Sequence, residues 1–292
     1  MNIELNNCPL CNSGQFNLYI PAKDFSVSKE NFNIVECQQC SFRFTNPRPP
    51  EDRLGKYYES EDYISHTNKS NNLLNRIYKV ARVYTIQEKS KLLRKWSKKG
   101  NLLDIGCGTG EFLQYNKFIG WQVNGVEVNQ QARKQAENKL SQTLLSSLDK
   151  VQEDKKYQAI TLWHVLEHVA DLEETCTKII KLLDTNGTLI VAVPNCESYD
   201  AGYYKEFWAA YDVPRHLYHF TKATMERLWE KYGLSIKAVL PMKLDAYYVS
   251  MLSEKYKNGS TNLISAGRVG WISNYKAKKE NNYSSLIYII KK

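Results

Sequence analysis

After Gly100 the chain alternates short apolar runs with longer stretches whose apolar residues recur every third or fourth position. The runs Leu102–Ile105, Gln122–Val126, Gln158–Trp163 and Thr188–Val193 read as strands, and the stretches opening near Gly110, Asn129 and Asp171 read as helices. Strands and helices in strict alternation predict an α/β fold, with a parallel sheet covered by helices on both faces. A helix over about Thr221–Tyr232, a strand at Ser235–Leu240 and a last buried strand at Leu286–Ile290 complete the series. Between those two strands lies an insertion over about 242–283. It is too long for a simple connection, and such insertions are often lids or binding loops.

The chain before Gly100 has a different texture. Residues 1–48 hold two close cysteine pairs and run into Asn46-Pro47-Arg48-Pro49-Pro50, a stop that neither a helix nor a central strand tolerates. Residues 49–98 are first tyrosine-rich and then helical, with Leu73, Leu74, Ile77, Val80, Ala81 and Tyr84 at spacings of three and four. The expected organisation is a small module over 1–48, a helical linker over 49–98 and the α/β domain over 99–292.

Composition narrows the class. With 292 residues, 42% hydrophobic and 24% charged, the chain suits a soluble α/β core plus a smaller module. The first residues lack a basic segment followed by an apolar run, and no stretch is apolar for long enough to span a membrane, so a cytoplasmic location is expected. The net charge of +9 is compatible with nucleic acid, an anionic membrane surface or a phosphorylated substrate. The lysines are nevertheless scattered among asparagines and tyrosines without a basic block, which reads as a solvated surface.

The densest chemistry lies in Leu102-Leu103-Asp104-Ile105-Gly106-Cys107-Gly108-Thr109-Gly110-Glu111-Phe112, an apolar strand running through a glycine turn into a helix. Glycines at alternate positions let the backbone turn sharply and approach a ligand, and the helix start directs N–H groups toward it. A dinucleotide fingerprint would want a small residue where Glu111 stands, and a pyrophosphate would sit poorly beside Asp104 and Glu111. S-adenosylmethionine (SAM) suits the turn better. Its carboxylate can take helix N–H groups, its ammonium can use Asp104 or nearby carbonyls, and Glu127 at the end of the second strand can accept from two ribose hydroxyls.

Cys8-Pro9-Leu10-Cys11 and Cys37-Gln38-Gln39-Cys40 offer four thiolates, the donor set of a closed tetrahedral zinc site. A closed site leaves no position for substrate, so the expected role of Cys8, Cys11, Cys37 and Cys40 is structural. A redox pair would be expected beside a βαβ unit, and neither pair has that context.

These motifs resemble those of class I SAM-dependent methyltransferases. Leu102–Phe112 is similar to that family's first motif, Asn124-Gly125-Val126-Glu127 to its second, and Tyr157–Val169 to the segment after its fourth strand. The resemblance implies a seven-stranded, mostly parallel Rossmann-like sheet with its last strand antiparallel. It also implies that Asp104, Gly106, Cys107, Gly108 and Gly110 surround the methionyl part of SAM, with Glu127 and the adjacent Val128 at the ribose. Ser147 and Leu148 would lie at the adenine, and His164 would approach the cofactor mainly through its backbone. Residues 8–66, with Cys40–Pro49 followed by Tyr57-Tyr58 and Tyr63, resemble the zinc ribbon and linker of the subgroup called type 23.

Methyl transfer from a sulfonium depends on alignment, with a base needed only when the acceptor must lose a proton. His164-x-x-Glu167-His168 resembles the Glu-x-x-Glu-His of ubiquinone-type O-methyltransferases. His164 stands in place of the first acid, which removes a hard oxygen ligand from any magnesium site. A second cluster, Trp208–Phe220, places Asp212, Arg215, His216 and His219 among aromatics and suits a polar acceptor pocket with an apolar wall. Family members carry a similar run there, implying acceptor contact. His168 and His216 are the candidate bases, with Glu167 beside them. Structural alternatives are that Glu167 and His168 start a helix, that Arg215 pairs with Asp212, and that His219 caps the helix near Thr221. Tyr57, Tyr58, Tyr63 and His66 in the linker, with Asp245, Tyr247 and Tyr248 in the insertion, could cover the cofactor or acceptor; Tyr247 is taken as an acceptor contact.

The function expected is transfer of a methyl group from SAM to an oxygen or carbon of a small, lipid-linked or nucleotide-linked metabolite, such as a sugar or phenolic acceptor. The alternatives are an RNA methyltransferase and a non-catalytic SAM-binding protein. Against RNA, Trp163-His164-Val165-Leu166 replaces the Asn-Pro-Pro-Tyr-type or cysteine-nucleophile motif after the fourth strand. Against cofactor loss, the glycines and Glu127 are intact. The acceptor's identity and the oligomeric state are left open.

Overall fold

The computed structural model describes residues 2–58 and 73–292; Tyr63 and His66 lie outside them. The strands of the large sheet are β4 (Asn101–Ile105), β5 (Gln122–Val126), β6 (Tyr157–Trp163), β7 (Leu183–Pro194), β9 (Ser235–Pro241) and β10 (Ser285–Lys291), in the order β5-β4-β6-β7-β10-β9. Strands β5, β4, β6 and β7 pair in parallel, whereas β10 runs antiparallel to both β7 and β9. The central strands are apolar on both faces, as a sheet covered by helices on each side requires. Among the described residues this sheet has six strands, where the resemblance implies seven. The chain returns beside β5 only at Leu145, which makes a single parallel bridge to Val126. Its apolar run is just Leu144-Leu145 before two serines, too short to hold a ladder.

The helices start where their capping residues dictate. In α4 (Gln130–Leu140) the Asn129 side chain accepts from Gln131 and Ala132 N–H, and in α5 (Leu172–Leu182) Asp171 accepts from Glu174 N–H. Thr221 and Thr224 form a reciprocal box at the start of α7 (Lys222–Glu230). The short α3 (Glu111–Phe118) follows the glycine turn directly. The linker helix α2 (Leu73–Trp96) continues well past Tyr84 and packs Leu93 into the core beside β4.

The long insertion is a helical hairpin rather than a loop: α8 (Asp245–Asn258) ends at Gly259, where φ is 75°, and α9 (Leu263–Glu280) returns along it. Buried Asp200, in the six-residue helix α6 (Tyr199–Tyr204), ties this hairpin to the sheet. Its carboxylate accepts from Trp208 Nε1 at 2.8 Å, Ser273 Oγ at 2.7 Å and Ser284 Oγ at 2.7 Å.

A second sheet joins the N-terminal ribbon to a distant segment of the chain. Strands β1 (Phe16–Lys23), β2 (Asn31–Cys37) and β3 (Arg43–Thr45) form an antiparallel ribbon, and β8 (Tyr218–His219), from far along the chain, adds itself as a fourth strand against β3. Phe42 lies buried between Tyr218 and Phe220, at centroid distances of 5.9 and 5.5 Å. The ribbon is therefore built onto the segment that carries His216 and His219. One short helix, α1 (Glu51–Leu54), leads away from it.

Candidate active site

The glycine turn lies at the carboxyl end of β4, where the strand order reverses and ligands of open α/β sheets bind. Gly106, Gly108 and Gly110 all have positive φ, 72°, 55° and 82°. A Cβ on Gly106 would come within 2.3 Å of Val165 Cγ2, so the turn packs against the next strand's exit. A Cβ on Gly108 would meet nothing within 4 Å among the described residues, so this face of the turn is open toward them. Glu127 braces the turn: one carboxylate oxygen accepts from Gly108 N–H and the other from Asn129 N–H, both at 2.8 Å. Asp104 is buried and accepts from Thr161 Oγ1 at 2.6 Å. Burial lifts its pKa to about 7, against the pull of the Thr161 hydroxyl and the Lys89 ammonium. A cation placed beside Asp104 would restore its charge, and the sulfonium and ammonium of SAM supply that charge type. The donors, the open glycine face and the buried acid fit SAM.

Around this turn, Val128 is exposed, while Ser147 and Leu148 are half-buried at the edge beside β5. One group at the cradle has no signal in the sequence. Lys89, from α2, holds its ammonium 4.4 Å from the Trp163 ring centroid and interacts electrostatically with Asp104 and Asp245. Its helix is distant in sequence, and a lysine in an exposed-looking pattern carries no signal of this placement.

The residues after β6 do not start a regular helix. His164 has φ of 59°, and Leu166–His168 forms one 3₁₀ turn before α5. His164 is held between two acids, with Nδ1 at 3.3 Å from Glu167 Oε1 and Nε2 at 3.1 Å from Asp245 Oδ2. Burial disfavours its charge, but the two carboxylates outweigh burial and raise its pKa to about 10. The other oxygen of Glu167, Oε2, is buried and has no hydrogen-bond partner among the described residues.

His168 and His216 meet edge to face at 4.5 Å between centroids. His168 Nδ1 lies 3.0 Å from the Arg215 carbonyl and 3.1 Å from Tyr58 Oη. His216 Nδ1 lies 2.8 Å from the Ala210 carbonyl. A carbonyl only accepts, so Nδ1 carries a proton in each ring, and Nε2 is the nitrogen left to face a reacting group. Burial, helped by His216, lowers the His168 pKa to about 4. Glu167, His168 and His216 offer ligand atoms within 4.8 Å of one another, so this trio could also hold a metal ion.

Arg215, expected at the acceptor, faces inward. It is bidentate to Asp212, through Nε at 2.9 Å and Nη2 at 2.6 Å. It also donates to the Tyr57 carbonyl at 2.8 Å and to buried Asp24 at 3.2 Å. The Arg215–Asp212 pair foreseen as the structural alternative is present, and it reaches on to the ribbon and linker. His219 is buried, 3.2 Å from Thr45 Oγ1, while Thr45 donates to the His216 carbonyl at 2.8 Å. Thr221, not His219, caps α7. Tyr247 is partly exposed at the start of α8, next to Asp245.

The four ribbon cysteines converge, with Cys8 Sγ 3.6 Å from Cys40 Sγ and Cys11 Sγ 3.5 Å from Cys37 Sγ, and all four within 4.8 Å of one another. Zn–S bonds of about 2.3 Å in a tetrahedron place sulfurs about 3.8 Å apart, so the cluster fits zinc. Leu10 N–H points at Cys8 Sγ from 3.4 Å, as a thiolate acceptor would require.

Sheet order, glycine turn and the acid after the second strand together define a class I SAM-dependent methyltransferase. The profile of the methyltransferase domain family Methyltransf_23 matches residues 76–239, and the chain belongs to that family. Ubiquinone biosynthesis O-methyltransferase of Rickettsia akari (strain Hartford) is 26% identical over 158 residues, covering 51% of this chain and 63% of that protein. The enzyme of the same name from Rickettsia prowazekii (strain Madrid E) is 27% identical over 150 residues, covering 48% and 59%. The chain thus spans less than two thirds of the length of these curated relatives. Among solved structures, the cyclopropane synthase MmaA2 of Mycobacterium tuberculosis aligns with a TM-score of 0.52 at 15% identity, covering 83% of this chain and 98% of that one. Magnesium protoporphyrin IX methyltransferase of Synechocystis PCC 6803 with bound SAH aligns at 0.50 and 15%, covering 82% and 94%. Both share the fold. Among the described residues, no helix is long and apolar enough to cross a membrane.

Proposed function

We propose that this methyltransferase acts on an oxygen or carbon of a small or carrier-linked metabolite, with a lipid-linked sugar or phenol as the favoured acceptor class. The observation that carries this reading is the edge-to-face pair of imidazoles, half-buried His168 and buried His216, beside a Glu167 Oε2 that has no hydrogen-bond partner among the described residues. Such a site suits an acceptor hydroxyl or acidic C–H that must lose a proton as it attacks. The relatives named for ubiquinone biosynthesis favour oxygen as the acceptor atom and a lipid-linked substrate.

In this reading Gly106, Cys107, Gly108, Gly110, Asp104 and Glu127 hold SAM, which supplies an electrophilic methyl group when bound. Ser147, Leu148 and Val128 border its adenosine end, and the backbone at His164 its methionyl end. His216 Nε2 takes the acceptor proton, while the Ala210 carbonyl fixes its tautomer and orientation. His168 packs against it, and burial keeps it uncharged so that it does not repel the imidazolium formed. Asp212 lies 3.9 Å from His216 Nε2 and stabilises that charge. Tyr247 and His219 border the acceptor space, whereas Arg215 positions Asp212 and joins the ribbon to the site. Zinc at Cys8, Cys11, Cys37 and Cys40 is structural, and a reducing compartment such as the cytoplasm keeps those thiols available. The module boundaries near residues 48 and 98 are part of the same reading.

The test is methyl transfer from labelled SAM to a panel of lipid extracts, nucleotide sugars, simple phenols and bulk RNA. Label in a lipid or sugar fraction that disappears with His216→Ala supports the reading. Label in RNA alone would overturn it.

A further inference from the structure

Helix α9 has two unlike faces. Ala266, Val269, Gly270, Ser273 and Ala277 are buried against the rest of the molecule. The opposite face carries Ile264, Arg268, Trp271, Tyr275 and Lys278, at successive spacings of four and three, so they form one stripe along the helix. Its apolar members are strongly exposed: Ile264 at 87%, Trp271 at 58% and Tyr275 at 60%. Trp271 and Tyr275 stack at 5.5 Å with an interplanar angle of 12°, and the Lys278 ammonium lies 5.6 Å from the Tyr275 centroid. Large apolar groups set together on a surface mark an interaction site, unlike the same groups scattered singly.

The helix that bears the stripe packs, through its inner side, on the segment that leads into the reaction centre. Tyr247 packs on Gly270 so closely that a Cβ there would sit 2.7 Å from its ring, and Asn274 Nδ2 donates to the Lys243 carbonyl at 2.9 Å. The next residue, Leu244, is exposed, and Asp245 after it is the partner of His164. At the other end, a cleft of about 720 Å³ beside Tyr275 is lined by Lys276, Lys278 and Lys279, with acids Glu197 and Glu280 also on its wall.

We propose that this face of α9 docks on an anionic lipid bilayer and lies in the plane of the headgroups. Trp and Tyr favour that depth, where one part of the ring system is apolar and the other wet. An in-plane helix of this kind combines an apolar stripe with flanking lysines and arginines. The stripe bears Arg268 and Lys278 and no acid, which complements a negative surface. A second copy of the chain fits less well. A two-fold contact through this stripe would bring Arg268 and Lys278 of one copy toward the same cations of the other. Docking there would hold the helical hairpin that carries Leu244, Tyr247 and Asp245 at the bilayer surface. The inference rests on the lipid-linked reading of the acceptor for its purpose, but not for its measurement.

Co-sedimentation with vesicles of phosphatidylglycerol in phosphatidylcholine, compared with phosphatidylcholine alone, tests the proposal without any acceptor. Binding to the anionic vesicles, weakened about tenfold by Trp271→Ala and by about 10²-fold or more by Arg268→Glu with Lys278→Glu, is the expected result. These side chains are exposed, so the variants are expected to fold, and SAM titration of each preparation verifies it. No vesicle binding by a chain that binds SAM would overturn the proposal, as would equal binding by the variants. A wild-type dimer that Trp271→Ala converts to monomer, seen by analytical ultracentrifugation, would assign the face to a second copy instead. Methyl transfer to a water-soluble acceptor with intact vesicle binding would overturn the lipid-linked acceptor alone.

Discussion

His164 Nε2 lies 3.1 Å from Asp245 Oδ2, so a residue at the end of β6 is joined to the first turn of the insertion hairpin by an ion pair. Since Nδ1 of the same ring faces Glu167, the imidazolium connects the insertion to a carboxylate that lies within 4.8 Å of both candidate bases.

That pair has a signature in stability. The His164 pKa rises from 6.5 to about 10 on folding, so its contribution is complete below about pH 6.5 and is lost as pH climbs toward 10. Melting temperatures of the wild type should therefore fall across that window more steeply than those of His164→Asn. Asp245→Asn should reduce the same slope and lower turnover about tenfold, because Glu167 and the hairpin lose their common partner. Identical slopes in all three proteins would remove the imidazolium from the account.

Cofactor affinity should depend on pH through Asp104. Its pKa near 7 without ligand means that it is largely protonated in mild acid, and cationic SAM binds better to the charged form. Below about pH 7 the affinity should drop by up to about tenfold per pH unit. Calorimetric titration between pH 5.5 and 8 measures this, and Asp104→Asn should flatten the profile while weakening binding.

His216→Ala should lower turnover by about 10²- to 10⁴-fold, the usual contribution of a positioned base, with SAM affinity nearly unchanged. His168→Ala should cost less, since its weakly basic ring supports its neighbour more than it takes a proton. Full turnover by both variants on the true acceptor would exclude histidine base catalysis.

Zinc removal should reach the active site. Binding free energy at a four-thiolate site is folding free energy, and several kcal/mol lost corresponds to a melting point lower by about 10 °C or more. The ribbon strand β3 pairs with β8, and Thr45 holds the His216 carbonyl, so Cys40→Ser should also lower turnover. Metal analysis should find one zinc per chain in the wild type. Chelated protein that keeps its melting point and turnover would show the cysteines to be dispensable.

The α/β core and the cofactor cradle were legible in the sequence because both depend on local order. Periodicity distinguishes strand from helix within a few residues, and the turn from Asp104 to Gly110 must be contiguous for its backbone to fold around a ligand. The two Cys-x-x-Cys pairs were legible for the same reason, each being a short knuckle. Even the missing strand at Leu144-Leu145 is local, since two apolar residues cannot sustain a ladder.

What no window of sequence contains is the meeting of distant segments. The sequence leaves Arg215 open between an acceptor contact and a pair with Asp212; Asp24 and the Tyr57 carbonyl, both far away in the chain, turn its guanidinium inward. Lys89 enters the cradle, Asp245 reaches His164, and β8 joins the ribbon sheet through long-range packing alone. Sequence fixes which groups are chemically able to bind a cofactor or move a proton; their partners, and so their charge and freedom to act, follow from burial and proximity created only when the chain folds.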